Sequence, residues 1–106
     1  DYFNNINETS KFMCSVFDAK EDIKNKIPAV VHIDNSSRVQ TVSKKTNLKF
    51  YTLIEEFENL TSIPVILNTS LNINEPICEN PENALEIFTK TSMDALIIQN
   101  WILTKK

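Results

Sequence analysis

At 106 residues the chain has the size of one domain, which buries roughly two-thirds of the surface its unfolded form exposes, and its apolar and charged shares are those of an ordinary globular protein. A net charge of −3 argues against a sequence-independent grip on nucleic acid, because that needs a basic face and Lys44 and Lys45 make only a small patch. No apolar run is long enough to span a bilayer and no charged-then-apolar leader opens the chain, so the expectation is a cytoplasmic protein that partners neither nucleic acid nor membrane.

Residues 1–11 are polar and Asn-rich, begin without Met and read as the edge of a truncated segment. Phe12 to Phe17 alternates as a strand does, and Asp18 to Lys26 is a charged connection with room for a short helical turn. After Pro28, Ala29 to Asp34 and Arg38 to Ser43 form two strand-like runs separated by Asn35-Ser36-Ser37, a triplet of hairpin length. Asn47 is a good N-cap for a helix in which Phe50, Leu53, Ile54, Phe57 and Leu60 share one face and are expected to be core. Glu55, Glu56 and Glu58 lie elsewhere on the wheel as a solvated face.

Pro64 to Leu67 has the composition of a strand covered on both faces. Asn80-Pro81-Glu82 opens a second helix, with Asn as cap, Pro at the first helical position and an acid in the positive first turn, and Ala84, Ile87 and Phe88 facing inward. Asp94 to Leu103 supplies a last apolar strand. The expected fold is a mixed α/β domain of order β-β-β-α-β-α-β, without repeats or low-complexity linkers.

The chain has no glycine. That removes the P-loop and the dinucleotide fingerprint, whose glycines let backbone approach phosphate, so any phosphate must be held by side chains and ordinary amides. It also pushes left-handed turn positions onto Asn35, Asn74 and Asn100, since Asn tolerates positive φ best after Gly. Cys14 and Cys78 are too few and too far apart for a disulfide framework or a zinc site, and are expected to be reduced. The sequons at Asn7, Asn35, Asn59 and Asn68 read as products of an Asn-rich composition.

Where the Pro64–Leu67 run ends, Asn68, Thr69, Ser70, Asn72 and Asn74 offer closely spaced donors and acceptors. This is either an ordinary turn, in which such side chains bond their own backbone, or a binding loop held on a strand end. Arg38, the single arginine, has a planar fork suited to bidentate phosphate or carboxylate; it equally suits a surface ion pair. His32 and Asp34, two apart, read as a structural pair with no nucleophile near them. Composition and spacing stop at a soluble α/β domain with a polar strand-end site.

Several blocks in one order go further. Ile-Pro-Ala-Val-Val-His-Ile-Asp with Ser-Arg-Val-Gln-Thr-Val-Ser, Ile-Pro-Val-Ile-Leu-Asn-Thr-Ser-Leu-Asn with Glu-Pro-Ile, Asn-Pro-Glu-Asn-Ala-Leu and Met-Asp-Ala-Leu-Ile-Ile together resemble the C-terminal region of O-carbamoyltransferases of the nodulation and antibiotic-tailoring type, across residues 12–103. The resemblance implies a YrdC-like twisted mixed sheet flanked by helices, with residues 12–106 as the C-terminal part of that domain. It implies formation of carbamoyl-adenylate from carbamoyl phosphate and ATP. A separate metal-containing Kae1-like domain of the same protein then passes the carbamoyl group to an acceptor hydroxyl, and no metal is expected in this segment.

Carried across by motif position, Arg38 stands near the phosphates as the expected catalytic group, and Asn68, Ser70 and Asn72 surround the Ser-x-Asn element that contacts the adenylate. Asn35 and Asn74 occupy places where the family usually has Gly. The Gly-Pro-Arg-rich segment that supplies further phosphate-binding Lys and Arg is absent, so the chain looks like part of a larger enzyme, inactive alone. A non-catalytic nucleotide-binding or interaction module of the same fold, and threonylcarbamoyl-adenylate chemistry, are the alternatives.

Overall fold

A computed structural model describes residues 2–105; Asp1 and Lys106, at the two ends of the expected layout, lie outside the described residues. The protein is mixed α and β, built as two compact units, Asp1–Leu67 and Asn68–Lys106.

In the first unit, strand β1 (Phe17–Asp18) pairs antiparallel with β2 (Ser36–Ser37), in the register Phe17 with Ser37 and Asp18 with Ser36. The stretch before β1 joins this small sheet. Asn4 N–H donates to the Asp18 carbonyl at 2.9 Å, Lys20 N–H donates to the Tyr2 carbonyl at 3.1 Å, and Phe3 bridges Ala19. Phe17, Ala19 and Ile27 are the buried apolar residues here. Two buried hydroxyls are satisfied locally, Ser10 by Thr41 and by the Asn7 carbonyl, Ser37 by the Val30 carbonyl.

The pairing differs from the expected hairpin of Ala29–Asp34 with Arg38–Ser43. Pro28 starts a 3-10 turn, Pro28–Val30, and its fixed φ suits a helical first position better than a strand. His32 N–H then donates to the Ser36 carbonyl at 2.8 Å and Asn35 N–H to the His32 carbonyl at 3.0 Å, so the residues meant for the first strand form a turn. Asn35 takes the left-handed conformation expected of it, at φ 65°. Asn74 and Asn100 do not; Asn5, Met13, Ser62 and Gln99 carry the other positive φ values among the described residues. The expected strand from Phe12 to Phe17 is likewise shortened to β1, because Glu8–Phe12 forms a 3-10 helix capped by the Asn7 side chain. The short helical turn foreseen in the charged connection is Lys24–Lys26.

Helix α1 runs from Leu48 to Thr61 with Asn47 as its cap, the Phe50 N–H donating to Asn47 Oδ1 at 3.2 Å. It ends at Ser62, whose φ of 61° turns the chain while its N–H closes on the Glu58 carbonyl. Helix and boundaries agree with the sequence; burial does not. No α1 residue is buried: Leu53, Phe57 and Leu60 are 54, 38 and 86% exposed and Phe50 and Ile54 only half-buried, so the apolar stripe expected to be core is largely open. Periodicity shows which side of a helix is apolar, not whether anything covers it. Pro64 to Leu67 is not a strand either: no ladder partner reaches it among the described residues, and a strand exists only by pairing.

In the second unit, α2 (Pro81–Lys90) is capped by Asn80 Oδ1, which accepts from Asn83 N–H at 2.8 Å; Pro81 stands in the first turn, Glu82 near the positive end and Lys90 near the negative end. Ala84, Ile87 and Phe88 are buried as the spacing requires. The expected single strand over 94–103 is a hairpin of β3 (Ala95–Ile98) and β4 (Trp101–Thr104), pairing Leu96 with Leu103 and Ile98 with Trp101. Only Gln99, first of the two turn residues, has positive φ, as in the tight turns that match strand twist. Ala84, Phe88 and Leu96 form the core cluster, with Leu71, Cys78, Met93, Ile98 and Leu103 packed on it. Ile97 and Ile102 point the other way and stay 65 and 69% exposed. Both sheets among the described residues are two-stranded and antiparallel, rather than one mixed sheet.

Candidate functional site

The polar loop after residue 67 is pinned to the second unit's core at two points. Cys78 N–H donates to the Leu71 carbonyl at 2.9 Å, and both side chains pack on the Ala84–Phe88–Leu96 cluster, so the residues between them loop out from a fixed base. Within the loop, Ser70 Oγ donates to Asn72 Oδ1 at 2.6 Å and Asn72 Nδ2 donates to the Glu75 carbonyl at 2.9 Å. Asn74 N–H donates to Glu75 Oε2 at 3.2 Å. The main-chain N–H groups of Glu75 and Asn74 hold the Glu75 carboxyl below the usual carboxylate range.

Of the expected site residues, Ser70 and Asn72 are therefore brought into direct contact, while Asn68 stands exposed at the start of the same unit. Arg38 belongs to the other unit, directly after β2; it is exposed and makes no ion pair among the described residues.

His32 and Asp34 do not form an oriented pair on a strand. Both are exposed in the turn before β2, and the Asp34 carboxylate accepts the Ser36 N–H at 3.0 Å, the Ser36 contacts lowering its pKa. Cys14 and Cys78 are free thiols, and Cys78 Sγ donates to the Asn80 carbonyl. No group of three His, Cys, Asp or Glu side chains capable of holding a metal occurs among the described residues. No helix of the described residues is long and apolar enough to cross a membrane.

Glu75 is the residue that sequence reasoning passed over. Its only signal was position, an acid between an Asn-rich loop and Pro76, and nothing local announces that it accepts two of the loop's donors. Beside it lies a hollow of about 250 Å³ lined by Ile73, Pro76, Ile77 and Ile87, with Glu86 and Lys90 also in its wall. Lys90 is ion-paired to Glu86, which raises its pKa, and Glu75 adds to that rise.

Comparison with known proteins bears on the whole chain. It is 36% identical over 126 aligned residues to an uncharacterised protein of Synechocystis sp., covering 99% of this chain and 20% of that protein. It is 38% identical over 96 residues to the nodulation protein NolO of Bradyrhizobium diazoefficiens, covering 90% of the chain and 18% of the relative. Nodulation protein U of Rhizobium tropici is 49% identical over 51 residues, 48% of this chain and 9% of that protein. The chain thus spans about a fifth or less of the curated relatives it matches. The family described as Carbamoyltransferase C-terminus matches residues 1–105, with the polar loop, its supporting helix and the final hairpin all inside the match, and the chain belongs to that family.

Proposed function

We propose that this chain is the C-terminal segment of an O-carbamoyltransferase and contributes to forming carbamoyl-adenylate from carbamoyl phosphate and ATP. Membership of the Carbamoyltransferase C-terminus family is the observation that carries this reading. Carbamoyl phosphate, ATP and water give carbamoyl-adenylate, inorganic phosphate and pyrophosphate. The displacement at the α-phosphorus concentrates negative charge, so it needs preplaced donors and a fixed guanidinium, and no nucleophile from this segment.

Arg38 supplies the guanidinium beside the phosphates, while Asn68, Ser70 and Asn72 contact the adenylate. What supports these roles is a cation without an ion-pair partner among the described residues and a loop whose polar groups are already ordered on a packed base. The YrdC-like fold of the complete domain belongs to the same proposal. Transfer to the acceptor hydroxyl is assigned to a Kae1-like, metal-containing region of the full-length protein.

The test is isotope exchange between pyrophosphate and ATP in the full-length protein, driven by carbamoyl phosphate. Exchange that requires carbamoyl phosphate supports the reading. Nucleotide binding without exchange would make the segment a non-catalytic module, and exchange that responds to threonine and bicarbonate instead would make the product threonylcarbamoyl-adenylate.

A further inference from the structure

The hydrogen bonds of the polar loop have a direction, and the direction says what kind of atom Ser70 can meet. A main-chain carbonyl only accepts, so the Asn72 atom 2.9 Å from the Glu75 carbonyl is the amide nitrogen, and this fixes the orientation of the Asn72 side chain. Its Oδ1 therefore faces Ser70, at 2.6 Å, and an amide oxygen also only accepts. The single Ser70 hydroxyl proton is thereby committed to Asn72. Any further hydrogen bond at Ser70 Oγ is made through a lone pair, toward a donor. Asn72, in turn, keeps one of its two amide protons, the other being given to Glu75. The pair offers a ligand one acceptor and one donor on neighbouring side chains.

A phosphate oxygen is an acceptor and finds no partner in a Ser70 hydroxyl of this polarity. A primary amide matches the pair, because its NH₂ donates and its carbonyl accepts. Resting on the carbamoyl-adenylate reading, we infer that Ser70 selects the carbamoyl end of the substrate, accepting a hydrogen bond from the carbamoyl NH₂, and does not bind the phosphates. The main-chain carbonyl of Glu75, by accepting from Asn72 Nδ2, sets the amide orientation that gives Ser70 its acceptor character, while the Glu75 carboxylate accepts separately from Asn74 N–H. Ser70 is exposed and no core contact depends on it, which makes its substitution informative.

The experiment compares equilibrium binding of carbamoyl phosphate, acetyl phosphate, inorganic phosphate and ATP, each alone, to full-length wild-type, Ser70→Ala and Ser70→Thr proteins. Acetyl phosphate has a methyl group where carbamoyl phosphate has NH₂, so it lacks the donor. Ser70→Ala should weaken carbamoyl phosphate about tenfold, the size expected when one buried donor loses its partner, and leave the other three ligands unchanged. Ser70→Thr, which keeps the hydroxyl, should restore the preference for carbamoyl over acetyl phosphate. Equal weakening of carbamoyl, acetyl and inorganic phosphate would put Ser70 on phosphate and overturn the inference while leaving the proposed reaction standing. Weakening of ATP alone would put the acceptor on the nucleotide and overturn it as well. If the wild-type protein bound neither carbamoyl phosphate nor ATP, the proposed reaction itself would fall, and this inference with it.

Discussion

Leu71 and Cys78, seven positions apart, are joined by a 2.9 Å main-chain hydrogen bond and lie side by side on the core of the second unit. This closure turns a stretch of polar residues into a loop of defined shape. Its base is apolar and packed, and its outward residues bond to one another rather than to solvent alone. Loops with rigid bases are where a fold places groups that must meet a ligand.

The two helices should respond differently to truncation. Phe88 is 5% exposed and belongs to the core cluster, whereas Phe57 is 38% exposed. Phe88→Ala is expected to cost about 3 to 5 kcal/mol and Phe57→Ala no more than about 1.5 kcal/mol. Urea titrations of the two variants, followed by circular dichroism, measure both. Equal losses would show that the α1 stripe is covered after all.

If Arg38 clamps phosphate as proposed, it should resist replacement in the full-length protein even by Lys, which keeps the charge and loses the planar fork. Arg38→Ala is expected to slow carbamoyl-phosphate-dependent exchange by about a hundredfold or more, with Arg38→Lys impaired to a lesser degree. Thermal melting should be unchanged, since the exposed guanidinium holds no ion pair among the described residues. Near-normal exchange, or an unfolded Ala variant, would remove Arg38 from the phosphate site.

Glu75 gives the loop a pH dependence of known sign. Its carboxyl is stabilised as the anion by the N–H groups of Glu75 and Asn74, so its folded pKa lies below its unfolded value. The contribution is then present above the unfolded pKa and lost as pH falls through the folded one. In NMR titrations the Asn74 amide should shift with a midpoint below the usual glutamate value of about 4.3, and Glu75→Gln should abolish that titration. A midpoint at or above the ordinary value would remove the amide–carboxylate contact.

Asn35 stands at φ 65° in a chain without glycine. Asn35→Ala should destabilise by about 1 kcal/mol, because a Cβ without a compensating polar side chain is disfavoured there, while Asn35→Gly should be close to neutral. Differential scanning calorimetry of the pair checks the order. A more stable Ala variant would contradict the left-handed assignment.

What the sequence determined by itself is what a few neighbouring residues decide among themselves. Asn47 and Asn80-Pro81 start the two helices where they were expected, the spacing of Ala84, Ile87 and Phe88 turns α2 inward, and Asn35 takes the left-handed turn. The ordered motif blocks also marked the family, because that signal is the amino-acid pattern itself. Tertiary structure decided the rest. Phe17–Asp18 pairs with Ser36–Ser37, and not 29–34 with 38–43, since a strand is defined by a partner whose identity depends on every competing turn, and Pro28 and the His32–Ser36 turn removed one competitor. The exposure of Phe57 and the bonds of Glu75 have the same cause: cover over a helix face, or a partner for a carboxylate, comes from how the whole chain packs, and no short window of sequence contains it.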